Sequence, residues 1–323
     1  MSTKKEYTGK KGLDVISRER FGLQRKIVAN MTTDSWRNIP HSSGIYEPDA
    51  TNLLAEFKRL RGLPGWEGIS LNSVMLYAMT QGLTACPAMN AHISFKRRTV
   101  TGIIEQYADV NISMPMMLPD GAMMTINVHN CERMNLREFQ EYIGDVRRRM
   151  EKTNMDDALF EVAFDNTMQE LKRLRLVKVV LRLLGTKIGA GEIHKLKGAE
   201  KKAYKALPGT ERLTKEDIEQ GTSLFSNVGS VYRGGNYLAP AMLEVIPPQV
   251  VAFALSSAVE KPGVVTHADG SKTIEPRTFL PFGFAIDHRA LDFGDCMPFL
   301  NRMDDIFAHP EQIEAWLKTP TVS

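Results

Sequence analysis

Apolar residues in the first half of the chain recur at the spacing of amphipathic helices. Leu53, Leu54, Phe57 and Leu60 are separated by steps of one, three and three residues and place one apolar stripe on a helix. Two later segments show the same periodicity. The helices predicted in this way span Asp49 to Arg61, Leu71 to Leu83 and Leu136 to Met150.

Short apolar runs bounded by turn residues lie between these helices and in the last third of the chain. Alternation of such runs with helices is typical of an α/β fold. The region from Arg25 to about Met150 therefore predicts one half of an α/β domain, preceded by a polar arm over residues 1–24. The predicted strands are Ile93 to Phe95, Val110 to Met114, Met123 to Val128, Glu244 to Leu255 and Phe279 to Ile286.

The last predicted strand places a histidine at its carboxyl end. His288 follows it within Asp287-His288-Arg289-Ala290-Leu291-Asp292, and an imidazole fixed there can act as a general base near neutral pH. Asp292 lies in a turn segment, where its carboxylate can bond to backbone or pair with Arg289. Such a cluster is more often structural than catalytic, so the hexapeptide alone leaves both interpretations open.

Separated segments, in this order along the chain, resemble one enzyme family. The segments are Arg25 to Met31 with Ser35-Trp36 and Ile39-Pro40-His41; Cys86 to Ala91; Gly221 to Ser230, containing Ser226-Asn227-Val228-Gly229; and His288 to Asp292, followed by Phe299 to Arg302 and His309-Pro310. Together they resemble the catalytic domain of the dihydrolipoamide acyltransferase component of 2-oxo acid dehydrogenase complexes. That family shares its fold with chloramphenicol acetyltransferase.

The resemblance implies an α/β, chloramphenicol acetyltransferase-like two-layer fold, with a mixed β-sheet flanked by helices, over residues 25–323. It implies that His288 is the general base and that the Ser226 hydroxyl stabilises the oxyanion, with Asp292 as a third catalytic residue. Asn227, Gly229 and Arg289 are the expected substrate-binding residues, and Asn227 and Gly229 are also expected to shape the turn after Ser226.

Coenzyme A is the expected acyl donor or acceptor, and a homotrimer, or a larger assembly of trimers, is expected to place His288 and Ser226 of different copies together. The sequence contains no lipoyl domain, so no covalently bound lipoyl group is expected, and a lipoylated or carrier protein would act in trans. A small hydroxyl or amine acceptor stays open as an alternative. So does a degenerate structural or docking subunit of a dehydrogenase-type assembly.

Two departures from the family pattern affect the expected site. The glycine that follows the motif aspartate is replaced by Phe293, with Gly294 one position later, which predicts backbone strain or a different turn. The stretch from Ala241 to Gln249 is longer than the corresponding family loop and predicts a reshaped pocket wall.

Composition fits an enzyme domain and excludes several other classes. The 323 residues are 43% hydrophobic and carry a formal net charge of +3, which gives no argument for nucleic acid. Cys86, Cys131 and Cys296 are widely spaced, so neither a disulfide framework nor a metal site is expected. No signal peptide or spanning segment is recognised, and a cytoplasmic location is expected.

Residues 151–209 have no recognised counterpart and are expected to form a basic helical insertion. From Glu170 to Lys205 there are eleven Lys or Arg against three Glu, and apolar residues recur at helical spacing from Leu171 to Leu184. An ordinary helix packed on its own domain explains this pattern. The functional alternatives are an anionic membrane surface, an acidic partner or the phosphates of a nucleotide cofactor.

Overall fold

A six-stranded mixed sheet organises the chain in the computed structural model, which describes residues 15–17, 20–117, 123–155, 157–158, 196–232, 238 and 243–322. Its strands are β1 (His41–Tyr46), β4 (Ile112–Met117), β5 (Met123–Val128), β6 (Ser223–Asn227), β7 (Val251–Leu255) and β10 (Phe282–Asp287). The spatial order is β1-β10-β7-β6-β4-β5. Strand β6 runs parallel to both of its neighbours, and the other pairs are antiparallel.

One face of the sheet carries the main hydrophobic core. The helices of the described chain are α1 (Leu23–Asn38), α2 (Thr51–Leu60), α3 (Leu71–Ala85), α4 (Leu136–Glu151), α5 (Gly198–Ala206), α6 (Lys215–Ile218) and α7 (Met297–Ala308). Helix α3 is buried almost throughout and begins where the Ser70 hydroxyl accepts the Ser73 backbone N–H. Phe299 of α7 stacks on Phe253 of β7, with ring centroids 5.0 Å apart.

The opposite face of the sheet carries a smaller apolar cluster made of Ile39, Val245, Ala252 and Ala285, with Leu224 packed against it. Successive strand residues point to opposite faces, so Phe253 and Ala252 belong to different clusters. Ser226 lies two residues after Leu224 and therefore shares its face. The candidate serine thus lies opposite the main core.

Two of the predicted strands are interrupted by proline. Pro247 and Pro248 lie within the predicted run from Glu244, and β7 begins only at Val251. Pro281 divides the run from Phe279, and β10 begins only at Phe282. Proline has no N–H to donate to a ladder, which explains why both runs are shorter than predicted.

Two antiparallel hairpins stand outside the main sheet. Strands β2 (Ala91–Lys96) and β3 (Thr101–Gln106) form one, and β8 (Val259–Thr266) and β9 (Lys272–Phe279) form the other. Local pattern predicts only part of the first hairpin and does not predict the second, because their exposed strands mix charged and apolar residues without a buried face.

Most of the expected basic insertion falls outside the part of the chain that the structure describes. Residues 159–195, which contain the predicted basic helix, lie outside the described residues, while α5 shows that the segment after them is helical. Across the described helices, none combines the length and the apolar character needed to cross a bilayer.

Candidate active site

His288 is fixed to the end of β10 by its backbone and by one ring nitrogen. Its N–H donates to the Pro40 carbonyl, 3.0 Å away, just before β1. Its Nδ1 lies 3.0 Å from the Leu291 carbonyl oxygen and 3.1 Å from Oδ1 of Asp292. A carbonyl oxygen only accepts, so Nδ1 carries the proton in the neutral ring and Nε2 keeps its lone pair. With about half of the side chain exposed, Nε2 is suited to remove a proton from an incoming group.

The residues on either side of this histidine, Asp287 and Arg289, form an ion pair with each other. Asp287 has no solvent exposure, and its Oδ1 accepts from Nε of Arg289 at 2.9 Å while its Oδ2 accepts from Nη2 at 2.5 Å. The Arg289 guanidinium also lies over the Phe95 ring, 5.5 Å from its centroid. Arg289 therefore pairs with Asp287, and the pairing expected between Arg289 and Asp292 is not formed. The Asp292 carboxylate contacts the imidazole instead.

Phe293, which replaces the expected glycine, is accommodated without a left-handed backbone. It begins a 3-10 helix over Phe293–Cys296, a conformation with negative φ that any residue adopts. Its ring meets Phe284 edge to face at 6.0 Å. Of the two outcomes expected at this position, strain or a different turn, the structure shows no left-handed strain, because the turn takes a helical path that requires no glycine.

Ser226 lies at the other end of the sheet, one residue before the end of β6. Among the described residues its hydroxyl makes no hydrogen bond, and the side chain is half-buried. The following turn is closely held: Asn227 Oδ1 accepts the Ser230 N–H at 2.9 Å, and Nδ2 donates to Asn72 Oδ1 at 2.6 Å. A Cβ on Gly229 would stand 2.7 Å from the Ser256 backbone, so this close approach requires glycine.

The strand register separates Ser226 from His288 within one chain. Ser226 pairs with Ala254, which pairs with Gly283, and His288 stands five residues beyond Gly283. At strand spacing this corresponds to about 17 Å along the strands and about 10 Å across them. The two candidate groups consequently cannot act on one carbonyl carbon from the same chain.

A second histidine stabilises the segment that leads into β1. His41 pairs with Asp287 in the register of β1 and β10, and its Nε2 lies 3.1 Å from the buried Ser35 hydroxyl, which itself donates to the Val245 carbonyl. Burial lowers the pKa of His41, against the opposite influence of the Asp287 and Glu244 carboxylates. A neutral His41 thus helps to fix the strand whose preceding carbonyl binds His288.

The three cysteines are free and buried, which makes them poor nucleophiles. Burial raises the pKa of the Cys86 thiol and raises that of Cys296 to about 12. Protein thiolate chemistry is therefore not a feature of this site.

Two residues that the structure brings into the site, Asp287 and Asn72, have no role predicted from the sequence. Asp287 stands beside His288 in the sequence, and its position at the end of a buried strand could have indicated a buried counter-charge. Asn72 gives no such signal, because an asparagine at the second position of a helix points to no particular role until its partner is known.

Comparisons with known proteins identify the family and the fold of the chain. Residues 16–160 and 198–315 match the family model described as 2-oxoacid dehydrogenases acyltransferase (catalytic domain). The chain is similar to the cubic core of the pyruvate dehydrogenase multienzyme complex, with 17% identity, a TM-score of 0.61, and coverage of 93% of this chain and 94% of the other.

Two bacterial structures are similar to about the same degree. Dihydrolipoamide acetyltransferase of Azotobacter vinelandii has 17% identity, coverage of 93% and 94%, and a TM-score of 0.59. A probable dihydrolipoamide acetyltransferase of Listeria monocytogenes has 19% identity, coverage of 92% and 95%, and a TM-score of 0.57. No curated protein sequence matches significantly. The predicted family and the predicted mixed sheet flanked by helices are confirmed.

Proposed function

Because the chain belongs to the family of 2-oxoacid dehydrogenase acyltransferase catalytic domains, we propose that it moves an acyl group between a coenzyme A thioester and a thiol acceptor. The acceptor is a lipoyl group or a carrier-protein thiol supplied by another chain. Acyl transfer is the general activity of this enzyme family, and the roles of the individual residues are the specific content of the proposal.

In the proposed reaction, Nε2 of His288 removes the proton from the acceptor thiol as its sulfur attacks the thioester carbonyl carbon. The new carbon–sulfur bond forms, and the carbonyl electron pair moves onto oxygen. The Ser226 hydroxyl donates to this oxyanion, and loss of one such donor elsewhere costs about 3 to 4 kcal/mol of transition-state stabilisation. When the oxyanion collapses, the original carbon–sulfur bond breaks and the departing thiolate takes the proton from His288.

The observation that carries the proposal is the separation of the two groups within one chain. Among the residues that the structure describes, neither Nε2 of His288 nor the Ser226 hydroxyl makes a hydrogen bond, and the two groups lie at opposite ends of the sheet. In the proposal, a complete site therefore requires two copies. A homotrimer, or an assembly of trimers, joins the His288 end of one copy to the Ser226 end of the next around a closed ring. The likeness to a cubic multienzyme core supports such an assembly.

In the Azotobacter vinelandii enzyme, a serine, a histidine and an asparagine have been investigated for their role in the catalytic mechanism. This chain offers Ser226 and His288 for the first two roles, with Asp292 beside the histidine. That correspondence supports the assignment of the pair, and it leaves the contribution of Asp292 to be measured separately.

The test uses two inactivated variants, alone and together. His288→Ala and Ser226→Ala are each assayed for acyl transfer between a coenzyme A thioester and dihydrolipoamide, and each is expected to be slow. When the two variants are co-expressed and mix at random, about a quarter of the shared sites regain both groups, and activity rises accordingly. Absence of this recovery would overturn the shared site. Wild-type activity no higher than that of His288→Ala would leave only a structural subunit.

A further inference from the structure

Asn72 connects the end of β6 to the buried helix α3. It is the second residue of that helix, and its Oδ1 accepts a hydrogen bond from Nδ2 of Asn227 at 2.6 Å. Helix α3 packs in the main core, with eleven buried residues from Ser73 to Leu83. Asn72 therefore links the turn after Ser226 to a rigid part of the molecule, 155 residues away along the chain.

The orientation of the Asn227 amide makes this link specific. Its Oδ1 accepts the Ser230 N–H, and the Ser230 hydroxyl donates to the Asn227 carbonyl at 2.8 Å. Because Oδ1 is used in this way, Nδ2 faces Asn72 as a donor, and position 72 must supply an acceptor. A hydrocarbon side chain at position 72 would leave that donor without a partner.

We infer that Asn72 is a positioning residue for the Ser226 hydroxyl, an inference that rests on the proposed acyl transfer. Asn227 follows Ser226 directly, and their side chains leave the strand on opposite faces. A rotation of the Asn227 backbone therefore redirects the Ser226 side chain. Asn72 restrains this rotation through the amide, while the close approach of Gly229 to Ser256 restrains the other side of the turn.

The expected effect follows from the sensitivity of an oxyanion donor to its position. Complete removal of such a donor reduces kcat by about 100-fold to 1,000-fold. A mobile donor retains part of this effect, so Asn72→Ala is expected to lower kcat by about tenfold with KM for the coenzyme A thioester within about twofold of wild type. Asn72→Asp keeps an acceptor oxygen, and a negative charge is favourable at a helix N-terminus. It is expected to restore kcat to within about twofold of wild type.

A double-mutant cycle with Ser226→Ala separates positioning from a general loss of structure. If Asn72 acts through the serine, Asn72→Ala lowers kcat in the wild-type background and has no further effect in the Ser226→Ala background. Thermal unfolding and assembly size are recorded for each variant. Should Asn72→Ala be unstable, Asn72→Gln keeps a polar group but displaces the amide by one methylene, and the same cycle applies.

Two results would overturn the inference. A wild-type kcat in Asn72→Ala, beside a slow Ser226→Ala, would remove the positioning role and leave the proposed function intact. An equal loss from Asn72→Ala in both backgrounds would assign Asn72 a role independent of Ser226. By contrast, a wild-type kcat in Ser226→Ala would overturn the proposed oxyanion role itself, and the inference with it.

Discussion

Asp287 and Arg289 form a bidentate ion pair in which the carboxylate is fully buried and the arginine side chain is one-fifth exposed. Removing Arg289 leaves a buried carboxylate without its counter-charge, which costs about 3 kcal/mol or more in comparable sites. We expect Arg289→Ala to lower the free energy of unfolding by about that amount, measured by urea denaturation.

Arg289→Lys is the matched control, since it keeps the charge but not the planar fork. It is expected to recover part of the loss. A decrease below about 1 kcal/mol in Arg289→Ala would show that water or a neighbouring group satisfies Asp287.

Phe293 is expected to contribute to stability and not to impair catalysis. Its ring packs edge to face on Phe284, and replacement by the glycine typical of the family also increases the entropy of the unfolded chain. Phe293→Gly should therefore lower the free energy of unfolding by about 1 to 2 kcal/mol, with kcat within about threefold of wild type. A rise in kcat of tenfold or more would show that the aromatic residue does impair the site.

Gly229 and Gly294 provide a matched pair of alanine substitutions. A Cβ at Gly229 would meet the Ser256 backbone at 2.7 Å, whereas one at Gly294 meets nothing within 4 Å. Gly229→Ala should shift the turn after Ser226 and reduce kcat. It should also lower the free energy of unfolding by about 1 to 3 kcal/mol, because the Ser256 backbone, directly after β7, resists the displacement. Gly294→Ala should leave both quantities near wild type. Equal kcat values for the two variants would contradict the tight approach at Gly229.

Asp292 is expected to have a small role compared with His288. Its side chain is 80% exposed in the single chain, and the Leu291 carbonyl already fixes the ring proton on Nδ1. An exposed ion pair contributes up to about 1 kcal/mol, which corresponds to about a fivefold loss of kcat/KM in Asp292→Ala. Asp292→Asn should be closer still to wild type. A loss above 100-fold in steady-state kinetics would indicate that a neighbouring copy shields this carboxylate from water.

His41 makes the stability of the fold dependent on pH in a defined direction. Its pKa in the folded protein is lower than the usual 6.5, so the unfolded chain takes up the proton first as the pH falls. The contribution of His41 is therefore complete well above pH 6.5 and is lost progressively below it. We expect His41→Asn to show a smaller decrease in unfolding free energy between pH 7.5 and pH 5.5 than wild type, as measured by chemical denaturation.

The difference between wild type and His41→Asn is not affected by the other buried histidine. Burial also lowers the pKa of His92, which remains in both proteins and cancels from the difference. Parallel pH dependence in wild type and His41→Asn would contradict a neutral, buried imidazole at position 41.

The sequence is sufficient to predict several helices and strands from local pattern, and the resemblance of separated segments is sufficient to predict the family and the mixed sheet. The helix predicted from Leu71 begins at that residue, and the strand predicted over Met123 to Val128 has those bounds. The position of His288 at a strand end is also confirmed, since β10 closes at Asp287. Each of these features follows from runs of neighbouring residues.

The remaining features depend on contacts between distant parts of the chain. Arg289 is expected from the sequence to pair with Asp292, whereas its partner in the structure is Asp287, whose burial has no signal in the motif. The hydrogen bond from Asn227 to Asn72 cannot be predicted from local sequence, because the two residues are 155 positions apart. Phe293 is accommodated because its ring packs on Phe284 and because the turn is a 3-10 helix. Neither feature can be predicted from the sequence motif.

The placement of His288 and Ser226 at opposite ends of one sheet has a consequence for regulation. If the proposed site is shared between copies, turnover is lost when the copies dissociate, although the core and the sheet lie within one chain. Dilution, or any agent that loosens the contact between copies, would then switch off turnover while leaving circular dichroism unchanged, and reassociation alone would restore it.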